Sequence, residues 1–456
     1  MAVNALPRKR QDVDMTQGSI ARHLFSFALP LLLGNIFQQL YNTVDTWVVG
    51  NFVSNEAFSA VGSVTPIVNL LIGLFLGLST GAGAVISQFY GAKQADRVQD
   101  AVHTAIAMTL CLGVVFTVVG ILLTPGMLRL MKMPEIVMPE ATTYLRIYFS
   151  GVMGLMLYNI GSAVLRSVGD SKRPFYFLVV CALLNIVLDL VFVLVFRMGV
   201  AGVALATIIA QGVSALLAIL TLIRSHEAVR LELAKLRLHP DVLLKIFRVG
   251  IPAGLQLAVT SFSNAFVYSY INYFGHHFMS GWTAYNKINQ FVLLPMQSMS
   301  LAVTTFVGQN LGAGLPKRAK KSVGVALAMS AASAALLLIP VIVFAPSLVA
   351  FFNPVPEVVA FGTKLLRIIS PFYLVYCVHD TLGGALRGAG NGKVPMLVTF
   401  CCFVGFRQLY LYVMANYICN EAIPIAMAFP AGWVLSAIIV MIYFSRTKLT
   451  KTRIVD

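Results

Sequence analysis

The sequence predicts an all-α integral membrane protein, with about twelve transmembrane helices in two pseudo-symmetric six-helix lobes. Three observations predict this fold: the composition, the apolar stretches and an internal repeat. Of the 456 residues, 58% are hydrophobic and 11% are charged, with a mean hydropathy of +0.84. Soluble domains carry roughly 25% charged residues, so this chain has too few to cover a water-facing surface. A soluble enzyme, a disordered protein and a peripheral membrane protein are therefore excluded.

Apolar stretches bounded by charged residues, Gly or Pro predict the individual helices. A bilayer span uses about 20 residues, and a single span in lipid must satisfy its own backbone hydrogen bonds, so each stretch is expected to be helical. In chain order the predicted spans are 24–50, 60–90, 101–124, 142–165, 175–196, 199–223, 247–274, 281–308, 322–350, 364–386, 395–418 and 422–445.

An internal repeat predicts how these helices are arranged. At an offset of 221, Gln88 matches Gln309, and Leu165-Arg166 matches Leu386-Arg387. At an offset of 222, Pro30 matches Pro252 and Asn42 matches Asn264. Six spans are an even number, so both halves enter the membrane in the same sense, and a site is expected near their interface. The predicted segments are an N-terminal arm (1–23), an N-terminal lobe (24–223), a basic linker (224–246), a C-terminal lobe (247–445) and a tail (446–456).

The basic residues predict the orientation. The chain has 33 Lys and Arg against 17 Asp and Glu, and 25 of the 33 fall on the side that holds both termini. This bias places both termini in the cytoplasm of a multi-pass cell (inner) membrane protein. The net charge of +16 is then explained by loops that contact anionic lipid headgroups, and no nucleic-acid partner is expected.

Three carboxylates lie within the predicted spans: Asp45, Asp189 and Asp380. Charged groups inside the bilayer are costly, so each is a candidate functional residue. Asp45 and Asp189 lie within about 12 Å of the outer ends of their spans. Asn42 and Asn185 are one helical turn away from them, and Thr207 has a similar depth on the sixth span. The five side chains are expected to converge in the outer half of the N-terminal lobe.

The convergence predicts a cation-coupling site. The oxygen atoms of these five side chains are hard ligands that suit Na⁺. Two carboxyl groups that lie close together and away from water can instead carry H⁺. The sequence leaves Na⁺ and H⁺ both open. The alternative is a structural role, in which buried hydrogen-bonded side chains tie the helices together.

The C-terminal lobe has a second group of charged and polar candidates. Asp380 has possible cationic partners in Lys287, Arg407 and the neighbouring His379, and the pair is either structural or part of a gate that changes between conformations. Gln256, Tyr41 and Met296 are expected to contribute to this network or to line a substrate cavity. No metal site is expected, since His276-His277 has no third ligand nearby.

Several motifs, each present in both halves, resemble the multidrug and toxic compound extrusion (MATE) family, in its MepA-like or DinF-like branch. The motifs are LPLLLGNIFQQLYNTVDTWVVG, ISQFYGAKQADRV with VGQNLGAGLPKRA, and LRSVGDSKRP with LRGAGNGKVP. The resemblance implies a V-shaped pair of lobes that exports organic cations in exchange for Na⁺ or H⁺. It also implies a cation site at Asp45, Asn185, Asp189 and Thr207. The acidic positions of NorM-type members on helices seven and ten correspond to Ser261 and Tyr376, so that site is expected to be absent.

The expected function is a secondary active multidrug exporter, which moves organic cations and amphipathic drugs by cation-coupled antiport and alternating access of the lobes. A flippase of lipid-linked sugars or other lipids is the alternative. A membrane enzyme is not expected, because the chain lacks an Asp-rich metal motif, a nucleophile with its base and a His cluster. No cofactor beyond the coupling ion is expected, and the expected partners are small amphipathic molecules and lipids. A monomer is sufficient.

Overall fold

The computed structural model describes residues 14–131, 133–225, 227–449 and 453–455, and in these residues all regular secondary structure is helical. Twelve helices are long and apolar enough to cross a membrane, which confirms the predicted fold class. They are numbered α1 to α12 here, and a short helix, Ala345–Phe352, lies between α9 and α10. The bounds are α1 Ile20–Phe52, α2 Asn55–Gly91, α3 Ala95–Leu130, α4 Met138–Ser167, α5 Lys172–Val195, α6 Gly199–Ile223, α7 Pro240–Asn272, α8 His276–Gly312, α9 Pro316–Val343, α10 Pro356–Gly388, α11 Lys393–Ile418 and α12 Ala422–Arg446.

Most helices extend beyond the apolar stretches that predicted them. The seventh span was predicted to begin at residue 247, but α7 begins at Pro240 and runs for 33 residues. A helix of this length spans about 50 Å, whereas the hydrocarbon layer is about 30 Å thick. The extra turns project into the headgroup region, where polar residues are tolerated and the apolar signal ends.

Several helices contain local departures from α geometry. The last turn of α5, Val191–Val195, is a π-helix. Helix α11 contains two π-helical segments, Phe400–Phe406 and Met414–Ile418. In α10 a 3₁₀ turn, Ser370–Phe372, contains Pro371, which cannot continue the α-helical hydrogen bonding.

Near the middle of α2 and α7, the backbones of the two lobes approach each other closely. Gly77 and Gly81 of α2 face Gly254 and Gly250 of α7 across the lobe interface. A Cβ atom added at Gly77 would lie 2.1 Å from the backbone N of Gly254. These glycines therefore let two helix backbones approach more closely than side chains would allow.

A pseudo-symmetric pair of glutamines adds hydrogen bonds at the end of the molecule that holds both termini, called the termini end here. Gln88 Nε2 donates to the carbonyl of Gly388 (2.8 Å), and Gln309 Nε2 donates to the carbonyl of Ser167 (2.8 Å). Each glutamine also accepts a bond at Oε1 from a terminal segment, Gln88 from Ile454 N and Gln309 from Met15 N. The repeat thus places equivalent side chains on both sides of the interface.

Further from the termini end, the lobes are joined by polar contacts between α1 and α8. Asn35 Nδ2 donates to Ser298 Oγ (3.2 Å), and Gln39 Nε2 donates to Gln290 Oε1 (2.9 Å). Gln39 is near the middle of α1. Within the described residues, the hydrogen bonds and glycine contacts between the lobes thus lie between the termini end and the middle of the membrane.

The glycine contact makes a direct prediction for stability. We expect Gly77→Ala to lower the free energy of unfolding by about 1–3 kcal/mol, because the added methyl group overlaps the backbone of Gly254. The matched control is Gly62→Ala on the same helix, where no atom lies within 4 Å of the added Cβ. Melting temperatures of the detergent-solubilised variants test this. Equal melting temperatures for the two variants would show that the helices do not depend on this close approach.

Candidate cation site and the charged residues of the membrane core

Helices α1, α5 and α6 bring four of the predicted site residues together in the N-terminal lobe. Thr207 Oγ1 donates to Asp45 Oδ2 at 3.5 Å and also to the carbonyl of Val203 at 3.0 Å. Asp189 and Asn185 are close enough to Asp45 to interact with it. Asn185 and Asp189 are one turn apart on α5, so both face α1 and α6.

The cluster is removed from water and has unused oxygen atoms. Asp189 is 0% exposed, Asn185 is 1% exposed and Asp45 is partly buried. Four oxygens have no hydrogen-bond partner: Oδ1 of Asp45, Oδ1 of Asn185 and both carboxyl oxygens of Asp189. Buried polar atoms in proteins normally have partners, so this set of oxygens fits a cation that is bound between the helices.

No basic residue balances the two carboxyl groups. Within the described residues, no Lys, Arg or His is among the groups that interact with the carboxyl groups of Asp45 and Asp189. Two carboxylates away from water cannot both remain negatively charged without a compensating cation. The arrangement can therefore bind H⁺ on a carboxyl group, or Na⁺ between hard oxygen ligands, and it does not choose between the two.

Two tyrosines on α4 belong to the same region and were missed by the sequence reasoning. Tyr144 is close enough to Asp45 and Asp189 to interact with both. Its ring stacks on Tyr148, with centroids 6.2 Å apart and planes 15° apart, and both side chains are buried. Their spacing of four residues within an apolar span was the available signal, because it places both hydroxyl-bearing rings on one helix face.

The two remaining candidates on α1, Tyr41 and Asn42, have different surroundings in the structure. Tyr41 is buried and lies close enough to Asp45 to interact with it. The Asn42 side chain is exposed, and within the described residues it forms no hydrogen bond with the four clustered residues. The prediction that Asn42 joins the cluster is therefore wrong. One turn of α1 separates it from Asp45, but it projects from a face of the helix that α5 and α6 do not cover.

In the C-terminal lobe, Asp380 pairs with a residue that the sequence analysis placed in a loop. Arg387 Nη2 lies 4.0 Å from Asp380 Oδ1, and both side chains are mostly buried. Arg387 also donates to Gln256 Oε1 (3.1 Å) and to Ser300 Oγ (3.0 Å). Gln256 donates in turn to Thr399 Oγ1 (2.9 Å). Asp380 is thus neutralised inside a connected polar network, in contrast to Asp45 and Asp189.

The expected partners of Asp380 were therefore wrong. The Lys287 side chain is exposed, and within the described residues it forms no ion pair. Arg407 is buried elsewhere in the lobe, where its guanidinium bonds to Asn264 Oδ1 (2.9 Å). Arg387 takes their place because it is two turns further along α10, on the same face as Asp380.

Met296 does not line a cavity. Its side chain is 0% exposed in the core of the C-terminal lobe. Helix α8 passes through the middle of this lobe and is covered on most sides, so an apolar side chain here packs in the core. No group of three or more His, Cys, Asp or Glu that could hold a metal ion occurs within the described residues.

Comparisons with known proteins identify the family. A family model described as MatE matches residues 30–191 and 252–413, which together make up well over half of the chain. The chain belongs to the MATE family. It is thus a multi-pass membrane protein of a transporter family, and the two matches coincide with the two halves of the internal repeat. Both matches have an offset of 222 between their first residues and between their last residues.

Relatives and a solved structure agree with this assignment. The chain is 31% identical over 410 residues to "Probable multidrug resistance protein YpnP" of Bacillus subtilis, covering 90% of this chain and 92% of the relative. It is 24% identical over 414 residues to a "FAD transporter" of Shewanella oneidensis, covering 88% and 89%. A solved structure described as the outward-facing conformation of a multidrug resistance MATE family transporter has the same fold. Its TM-score is 0.92, with 22% identity and coverage of 98% and 99%.

The different charge balance of the two lobes predicts opposite effects of similar substitutions. We expect Asp189→Asn to leave the stability unchanged or to raise it by about 1–3 kcal/mol in the absence of Na⁺, because it removes an uncompensated buried carboxyl group. Asp380→Asn should destabilise by about 3 kcal/mol, because Arg387 is left buried without its partner. Melting temperatures in a Na⁺-free buffer and in a Na⁺ buffer test both effects. Destabilisation by Asp189→Asn as large as that by Asp380→Asn would contradict this account of the N-lobe cluster.

Proposed function

We propose that this protein is a secondary active exporter, which couples the entry of H⁺ or Na⁺ to the export of organic cations and amphipathic drugs. The observation that carries the proposal is the pair of carboxyl groups of Asp45 and Asp189, which have unpartnered oxygens and, within the described residues, no basic counterpart. Such a pair binds a cation in one state of the transport cycle and must release it in another.

The two-lobe architecture supports alternating access as the mechanism. The lobes are related by the repeat, and in this structure they are joined through Gly77 and Gly254 near the middle of α2 and α7 and through the paired glutamines at the termini end. Separation of these contacts, with closure of the opposite end, would expose a site between the lobes first to one side of the membrane and then to the other. Cation binding among α1, α5 and α6 would bias this equilibrium only if the cation has different affinities for the two states.

The substrates are proposed from the family and from the relatives. Relatives named as multidrug resistance proteins support amphipathic and cationic drugs, and the relative named "FAD transporter" supports a wider range that includes anionic flavin nucleotides. We place the protein in the cell (inner) membrane with both termini in the cytoplasm, acting as a monomer among lipids. We propose transport without an enzymatic step and without a cofactor other than the coupling ion.

Transport in liposomes tests the proposal directly. Purified protein is reconstituted in liposomes preloaded with ethidium, and dye movement is recorded under an imposed pH gradient and, separately, under a Na⁺ gradient. We expect one gradient to drive transport, and we expect Asp189→Asn to abolish it because the exchanged cation loses its carboxyl ligand. Wild-type protein with dissipated gradients is the control.

Two outcomes would contradict the proposal. Gradient-driven transport that survives Asp189→Asn would move the coupling site away from the N-lobe cluster. Absence of transport under both gradients for several cationic dyes would favour the lipid flippase, which is then tested with fluorescent lipid analogues in the same liposomes.

A further inference from the structure

Arg407 occupies the position in the C-terminal lobe that corresponds to the cation site of the N-terminal lobe. At the offset of 222 given by both ends of the family match, Asn185 corresponds to Arg407, and Asp45 and Asp189 correspond to Val267 and Leu411. Both carboxylates of the N-terminal lobe are therefore replaced by apolar residues, and an amide is replaced by a guanidinium. The equivalent region of the C-terminal lobe therefore has a cationic side chain and none of the carboxylates.

The backbone of α11 explains why this correspondence is hidden in the sequence. Pro174 and Pro395 near the starts of α5 and α11 match at an offset of 221, whereas the last residues of the two family matches, 191 and 413, are 222 apart. One residue is thus inserted between these points in the C-terminal lobe. The π-helical segment Phe400–Phe406 lies there and ends directly before Arg407, while α5 is α-helical over the corresponding residues. A π-bulge is a one-residue insertion into an α-helix, and such bulges are frequent at functional sites.

The surroundings of Arg407 hold the charge without neutralising it. The side chain is 1% exposed, and its guanidinium lies between two aromatic rings, 4.7 Å from the Phe403 centroid and 4.4 Å from the Phe429 centroid. Nη1 donates to Asn264 Oδ1 (2.9 Å) and to Ser263 Oγ (3.4 Å), and Nε has no partner. Within the described residues, no carboxylate forms an ion pair with it. Since an unpaired buried guanidinium is costly, a purely structural role gives little reason to retain it.

Asn264 connects Arg407 to the space between the lobes. Gly250, Gly254 and Leu257 of α7 contact α2 of the other lobe. Residues three or four apart lie on the same face of a helix. Ser261 follows Leu257 by four residues and Asn264 follows Ser261 by three, so both face the N-terminal lobe as well. Ser261 is exposed and Asn264 is partly exposed. The amide of Asn264 therefore lies between the solvent-accessible face of α7 and the guanidinium.

We propose that Arg407 and Asn264 form an oxyanion-binding site, which holds a carboxylate or phosphate group of an amphipathic substrate. The bound oxyanion takes the place of the Asn264 carbonyl oxygen on the guanidinium, whose planar fork fits carboxylate and phosphate oxygens. The aromatic rings of Phe403 and Phe429 flank the guanidinium and keep it in position. This assignment rests on the proposed transport function and extends its substrate class to zwitterionic and anionic amphiphiles.

Binding of two matched dyes tests the site. Rhodamine B carries a free carboxylate, and its ethyl ester has the same ring system without that charge. Trp282 and Trp433 lie next to Phe429, with centroids 5.5 Å and 6.0 Å away, so quenching of tryptophan fluorescence reports binding here. We expect Arg407→Gln to weaken rhodamine B binding by about tenfold to a hundredfold. Binding of the ester should change by less than about twofold, because the ester makes no charge-assisted bond.

A second variant covers the case in which Arg407→Gln does not fold. Asn264→Asp keeps Arg407 and places a carboxylate on its guanidinium, which occupies the site from within the protein. Asn264→Asp should reduce the preference for rhodamine B over the ester by as much as Arg407→Gln does. FMN and riboflavin form the matched pair for phosphate, and FMN should show the same loss of binding in both variants.

Nanodiscs distinguish a substrate from a lipid as the source of the oxyanion. If phosphatidylglycerol displaces rhodamine B and phosphatidylcholine, whose phosphate is neutralised by its choline group, does not, the oxyanion comes from an anionic lipid headgroup. If neither lipid displaces the dye, the occupant is a soluble amphiphile. Equal losses for both dyes, or no loss for either, in a folded variant would overturn the assignment and leave Arg407 a structural residue. Because binding is measured without a gradient, this failure is separate from failure of ethidium transport.

Discussion

Charge compensation inside the membrane is the constraint on which the rest of this structure depends. Asp380 satisfies it with Arg387, whose guanidinium also donates to the neutral partners Gln256 and Ser300. Asp45 and Asp189 do not satisfy it within the described residues, which leaves a place for a cation. Arg407 shows the opposite imbalance, because it contacts aromatic rings, an amide and a hydroxyl group and forms no ion pair with a carboxylate within the described residues. The lobes are therefore similar in fold and opposite in the charge that remains unpaired.

The closely packed interface between α2 and α7 is where these charge imbalances can affect the movement of the lobes. Glycines allow the backbones of α2 and α7 to approach, so the contact is tight and is sensitive to small changes in geometry. A tight contact of this kind behaves as one of two discrete arrangements and does not deform continuously. A cation bound among α1, α5 and α6 can influence it, because α1 also contacts α8 of the opposite lobe through Asn35 and Gln39.

The two halves of the repeat diverge around the buried polar residues on α5 and α11. The glutamines at the interface, Gln88 and Gln309, bond to the carbonyls of Gly388 and Ser167, which are 221 residues apart, so the interface keeps the two-fold equivalence of the repeat. The residues around Asp189 and Arg407 do not keep it. There a π-helical segment shifts α11 by one residue and brings a guanidinium to the position of an amide. The two halves of this duplicated fold thus contain polar clusters of different charge at related positions.

The sequence alone determined the all-helical fold, the number of spans, the duplication and the carboxylates within the membrane, because hydropathy and charge cost act on each residue locally. It also grouped Asp45, Asn185, Asp189 and Thr207, since depth and helical spacing place them together. Tertiary structure decided the partner of Asp380, the burial of Met296 and the exposure of Asn42. These depend on which face of each helix is covered by its neighbours, and helix rotation is set by packing over the whole lobe.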